Sequence, residues 1–102
     1  MNTTTFDATR VKEDFPIFQR EMRGGKKLTY LDSGATSQKP QSVIDAQSFF
    51  YSHTNAAVHR GSHLLAEEAD AAYEGARAIV ADFIGADVDE VIFTKGATES
   101  LN

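Results

Sequence analysis

The amino-acid sequence predicts an α/β fold, mostly helical with two short strands, and three observations carry that expectation. Between Leu64 and Ile84 the apolar residues Leu65, Ala69, Ala72, Ala76, Ile79 and Phe83 recur at spacings of four and three, with Tyr73 and Val80 beside them and Asp, Glu and Arg on the other side. That is the period of one long amphipathic helix, and Gly85 stands where such a helix ends. Val91 to Thr94 is short, apolar and β-branched, so it reads as a buried strand. Leu28 to Leu31 reads as a second short strand, entered through the turn Arg23-Gly24-Gly25-Lys26 and ending at Asp32.

Composition bounds the function classes. The 102 residues make at most one small domain, with 25% charged and 41% apolar residues as in ordinary globular proteins. A net charge of -5 without any Lys/Arg cluster argues against nucleic acid as a partner. The absence of cysteine excludes disulfides and thiolate metal sites and fits a reducing compartment. No apolar run approaches the roughly 20 residues of a membrane span, and the polar Met1 to Thr9 lacks the apolar centre of a signal peptide. A cytoplasmic location is expected, with no membrane partner.

In chain order, the polar N-terminal tail is expected to be poorly ordered. Asp7 or Thr9 can cap a short helix through Val11 and Lys12, which Pro16 stops at Phe15. Phe15, Ile17 and Phe18 form a small apolar knot. Ser33-Gly34-Ala35-Thr36-Ser37-Gln38 is a run of small residues: either a plain surface loop, or one whose backbone N–H groups come close to a ligand. Pro40 fits the first position of a helix with Val43, Ile44, Ala46, Phe50 and Tyr51 roughly on one face.

His59 and His63 are four apart, the spacing of a helical metal pair, but Gly61 weakens a helix there and no third ligand is evident. A metal is therefore not expected, and His59-Arg60 reads better as part of a pocket. The strand Val91–Thr94, the turn at Gly96 and a helix start capped by Thr98 present free N–H groups and the positive end of a helix dipole, an arrangement suited to a phosphate. An ordinary strand-to-helix turn is the alternative. Two short strands far apart in sequence do not make a stable sheet alone, so the chain is expected to be one incomplete region of a larger fold.

Taken together, Val11-Lys12-Glu13-Asp14-Phe15-Pro16, Tyr30-Leu31-Asp32-Ser33-Gly34-Ala35-Thr36-Ser37-Gln38-Lys39-Pro40, Ala57-Val58-His59-Arg60-Gly61-Ser62-His63, Tyr73-Glu74-Gly75-Ala76-Arg77 and Ile92-Phe93-Thr94-Lys95-Gly96-Ala97-Thr98-Glu99 resemble, in order and spacing, the N-terminal quarter of a group II (SufS/Csd-type) cysteine desulfurase of the class V aminotransferase superfamily. The resemblance covers nearly the whole chain. It implies the N-terminal segment and the start of the large cofactor-binding domain of a type I aminotransferase-like fold. It also implies a pyridoxal 5'-phosphate enzyme that converts L-cysteine to L-alanine and passes the sulfur, as a persulfide, to an acceptor protein of iron–sulfur cluster assembly, with a homodimer as the working form.

By position in that family, Ala97 and Thr98 match the pair that holds the cofactor's phosphate. Gly34 and Ala35 match a loop against the substrate, and His59 a histidine of the substrate pocket. Arg60 and Glu99 match charged positions near the dimer interface, or form solvated ion pairs. The chain departs from the family at Lys95, where arginine is common, and at Gly34-Ala35, where Ala-Ala is common. No lysine present matches the family's cofactor-bearing lysine and there is no persulfide cysteine, so no catalytic residue is expected within the chain and the segment alone is expected to be inactive. Two alternatives stay open: a selenocysteine lyase or other class V enzyme, and a non-catalytic helical interaction module.

Overall fold

A computed structural model describes residues 5–102 and divides the chain into two compact units, one running to Phe49 and the other Phe50–Asn102. The expectation of a poorly ordered tail falls partly on residues 1–4, which lie outside the described residues.

In the first unit, Asp7 caps α1 (Ala8–Glu13) by accepting from the N–H groups of Thr9 and Arg10. A carboxylate there satisfies two of the donors that a helix start leaves free. Asp14 closes α1, and Pro16 opens a separate 3-10 turn, Pro16–Gln19, where its fixed φ suits a first helical position. The expected aromatic knot is present: Phe15 and Phe18 meet edge to face at 6.1 Å, with the Lys12 ammonium over the Phe18 ring. Gly24 and Gly25, both at positive φ, turn the chain so that Met22 N–H donates to Lys26 O and Glu21 pairs with Lys27 in an isolated antiparallel bridge. Asp32 O accepts from the N–H groups of Ala35 and Thr36, and the Tyr30 hydroxyl closes the same turn on the carbonyls of Asp32 and Thr36. α2 (Gln41–Phe49) begins directly after Pro40, and its first N–H donates to Asp14 O at 2.8 Å.

The second unit opens with a π-helical turn, Phe50–Thr54, and is built on α3 (Leu64–Ile84), whose limits are those read from the sequence. His63 Nδ1 caps the start by accepting from Ala66 N–H at 3.3 Å. At the other end Gly85, at φ 70°, donates to Asp82 O while Ala86 N–H donates to Ala81 O, the paired bonds of a Schellman closure. Gly61 is required by closeness: a Cβ there would lie 2.8 Å from Ala66 Cβ. After α3, Asp87 and Glu90 form a reciprocal capping box around the turn Val88–Glu90. α4 (Ala97–Leu101) follows an extended stretch.

Two expectations are corrected. Neither Leu28–Leu31 nor Val91–Thr94 is a strand among the described residues. Val91 has extended φ and ψ and is buried, but no described segment pairs with it, and a strand exists only through its ladder. The second correction concerns the face of α3. Its buried residues are Ala66, Ala69 and Ala81, with Asp70, Tyr73, Glu74 and Arg77 half-buried between them. That line is displaced by about one residue's rotation, 100°, from the expected Leu65-Ala69-Ala72-Ala76-Ile79-Phe83 stripe, of which Ala69 alone is buried. Ile79 and Phe83 are 73% and 89% exposed. The local contacts of α3, with Phe50–Thr54 and Val88–Glu90, leave the larger side chains of the stripe without cover. α2 likewise buries none of its residues.

Candidate functional site

One polar network in the second unit runs along a single line of α3. Asp70, Tyr73, Glu74 and Arg77 are spaced three, four and seven residues from the first, so they share a helix face. Each has a partner outside the helix. The backbone N–H of His59 donates to Asp70 Oδ1, and the His59 ring stands edge to face on Tyr73 at 5.5 Å. His59 Nε2 lies 2.9 Å from Glu74 Oε1. Glu74 Oε2 accepts from Arg77 Nε at 2.8 Å, and the Arg77 guanidinium donates onward to the carbonyls of Val88 and Val91 at 2.8 and 2.7 Å. Tyr73 also meets Phe93 edge to face at 5.3 Å. A shallow cavity of about 180 Å³ is lined by these side chains together with Val91 and Ile92.

Two physical consequences follow. The Arg77 hydrogen bond, the largest influence, holds the Glu74 carboxyl below its ordinary pKa, with His59 acting in the same direction. Glu74 is therefore an anion at neutral pH. Second, Arg77 and Tyr73 fix the extended segment Val91–Phe93 from one side, and that segment leads within three residues into Gly96.

At Gly96 the chain turns into α4. The expected Thr98 cap is corrected: Thr98 lies inside the first turn, Gly96 precedes the helix and no side chain caps it, so the N–H groups of Ala97 and Thr98 are not taken by a capping residue. Glu99 instead reaches back and accepts from Lys95 N–H at 2.8 Å. Thr94 Oγ1 bonds to Gly96 O and to Ser100 Oγ, bracing the turn from inside. An open concavity of about 540 Å³ is lined by Lys95, Gly96, Thr98, Glu99 and Asn102. Uncapped N–H groups, a threonine hydroxyl and a neighbouring ammonium form a donor set matched to a phosphate, so the residues fit the phosphate end of pyridoxal phosphate.

The remaining sequence-selected residues are placed as follows. Arg60 is exposed and has no hydrogen bond or ion pair among the described residues, next to His59 at φ 60°. Gly34 and Ala35 belong to the first unit, in the turn closed by Asp32 O, and the space around Gly34 is open. His59 and His63 share no helical turn, since His63 is the cap of α3 and His59 precedes it in a left-handed conformation. Sequence reasoning assigned no role to Asp70, Glu74 or Arg77. The signal available was their spacing: three ionisable residues, on one line of a helix whose apolar stripe lies elsewhere, have a reason to be together.

The Aminotransferase class-V family matches residues 29–102. Over 102 residues the chain is 56% identical to "Probable cysteine desulfurase 2" of Mycobacterium leprae, covering all of this chain and 24% of that protein. Over 97 residues it is 60% identical to "Probable cysteine desulfurase" of Streptomyces coelicolor, covering 94% of this chain and 23% of the relative. Among solved structures, the apo cysteine desulfurase of Thermococcus onnurineus superposes with a TM-score of 0.77 at 38% identity, over 98% of this chain and 23% of that one. The chain thus spans about a quarter of the length of the relatives it matches, and its fold is that of the corresponding part of a cysteine desulfurase. With the match extending over most of its length, the chain belongs to the class V aminotransferase family, whose members depend on pyridoxal phosphate.

Proposed function

We propose that the full-length protein carrying this segment is a cysteine desulfurase, which takes sulfur from L-cysteine, leaves L-alanine and passes the sulfur on as a persulfide to an acceptor protein of iron–sulfur cluster assembly. It works as a cytoplasmic homodimer, and the present segment supplies the N-terminal region and the start of its cofactor-binding domain. The observation that carries this reading is the identity of 56% and 60%, along essentially the whole segment, to two proteins named as cysteine desulfurases.

In this reading Ala97 binds the cofactor's phosphate through its N–H, and Thr98 through its N–H and hydroxyl. Lys95 adds positive charge beside them, and Glu99 accepts from Lys95 N–H at 2.8 Å. Pyridoxal phosphate supplies an electron sink for the bonds at the amino acid's α-carbon. Gly34 and Ala35 form the loop against the substrate, and His59 presents its imidazole at the substrate pocket, where it holds or moves a proton near neutral pH. Arg60 and Glu99 support the site from the dimer interface.

The test is the full-length protein, assayed with L-cysteine for alanine and for sulfur delivered to a thiol acceptor. Equimolar alanine and sulfur are expected, and His59→Ala is expected to lower turnover while the visible absorbance of the bound cofactor stays. A holoprotein that turns over another amino acid and leaves L-cysteine untouched would overturn the reading.

A further inference from the structure

The carboxylate facing His59 has a place in no step described so far, and its surroundings show why it is there. Glu74 sits in the middle of α3, the longest helix of the chain, and is held from the far side by Arg77, itself tied to two backbone carbonyls. Its position is therefore set by a rigid element and not by the loop that carries His59. His59, by contrast, lies in a loop at φ 60°, a conformation uncommon for a residue with a side chain. Its N–H is taken by Asp70, its ring meets Tyr73 edge to face, and its Nε2 is directed to Glu74. A carboxylate has no proton to offer, so in the neutral ring the proton of this bond belongs to Nε2, and the lone pair belongs to Nδ1. Nδ1 has no partner among the described residues.

We infer that Glu74 is the positioning residue of His59: it holds the imidazole in the Nε2–H tautomer so that Nδ1 is the atom offered to the substrate. The inference rests on the reading of His59 as a pocket residue. The charged and titratable groups that face the ring are Glu74, with Arg77 behind it, Tyr73 under the ring and Asp70 at the backbone N–H. Glu74 is the one whose charge touches the ring nitrogen. An ion pair serving only to tie Glu74 to Arg77 would not act on the His59 tautomer.

The experiment uses the full-length holoprotein with ¹⁵N-labelled histidine, as wild type, Glu74→Gln and Glu74→Asp. In the wild type at mildly alkaline pH the His59 resonances are expected to report the Nε2-protonated tautomer. In Glu74→Gln a mixture of tautomers is expected and kcat for L-cysteine falls roughly ten- to a hundredfold, the scale on which hydrogen-bond partners of functional histidines act. KM and cofactor absorbance change little, and Glu74→Asp recovers part of the loss. An Nδ1-protonated His59 in the wild type, or a Glu74→Gln protein with unchanged tautomer, overturns the inference. If both variants fail to fold, the wild-type tautomer alone decides. If the wild type has no activity on L-cysteine, the desulfurase reading fails, while the tautomer measurement still tests Glu74.

Discussion

Single residues of the second unit act through one or two atoms each. The Thr98 hydroxyl is expected to add a hydrogen bond to a charged phosphate, a contact on the order of 1.5–3 kcal/mol. Thr98→Val in the full-length protein keeps the shape and removes that bond, so cofactor loss on dialysis should accelerate clearly. Unchanged retention would leave Thr98 with only a structural place in the first turn of α4. Glu74 makes a statement about pH. Its folded pKa lies below the ordinary value, chiefly through Arg77, so the contribution of the Arg77-Glu74-His59 chain is present above the unfolded carboxylate pKa. That contribution is lost as pH falls through the depressed folded value. A ¹³C titration of the Glu74 carboxyl should therefore show a midpoint below that of an exposed glutamate, and Arg77→Gln should bring it back up.

The ends of α3 show how far an element is set by its own residues. His63 caps one end, and Gly85 closes the other with both Schellman bonds. Because nothing lies near a Cβ built on Gly85, a substitution there is penalised by backbone conformation alone. Gly85→Ala is expected to cost about 1 kcal/mol, the left-handed penalty for a residue with a Cβ. Gly85→Asn should cost less, since asparagine tolerates that region. Denaturant midpoints of the full-length variants check the order Gly, Asn, Ala. A larger loss for Asn than for Ala would mean that packing, not φ, governs the position. The 21-residue length of α3 was legible for the same reason: period and terminator are both local.

At the scale of the whole molecule, the segment carries a large helix with little to cover it. Among the described residues the buried apolar ones are Ala66, Ala69, Ala81 and Val91, whereas Leu31, Ile79, Phe83, Ile92 and Leu101 are each more than 70% exposed. Surface of that kind drives association. Residues 1–102 expressed alone should therefore bind a hydrophobic dye, self-associate as concentration rises, and neither retain pyridoxal phosphate through desalting nor release sulfide from L-cysteine above the free-cofactor background. Ile79→Glu with Phe83→Glu should reduce the association, and a monomeric, dye-silent wild-type segment would contradict this account. The sequence by itself determined the elements whose causes are neighbours in the chain. These are the limits of α3, the turn at Gly24-Gly25 and the turn into α4 at Gly96, while the choice of Asp7 over Thr9 as the cap of α1 came from the structure. It also determined the family, because five separated motifs in order leave few alternatives. Tertiary structure decided what depends on partners distant in the chain. It left Val91–Thr94 without a ladder, since a strand is a property of a pair. It turned a face of α3 other than most of its bulky stripe toward the local contacts, since the segments that reach the helix, at His59 and Val88–Phe93, lie along that face. And it brought His59 to Glu74 across 15 residues, a pairing made by the φ of one loop residue and visible in no spacing.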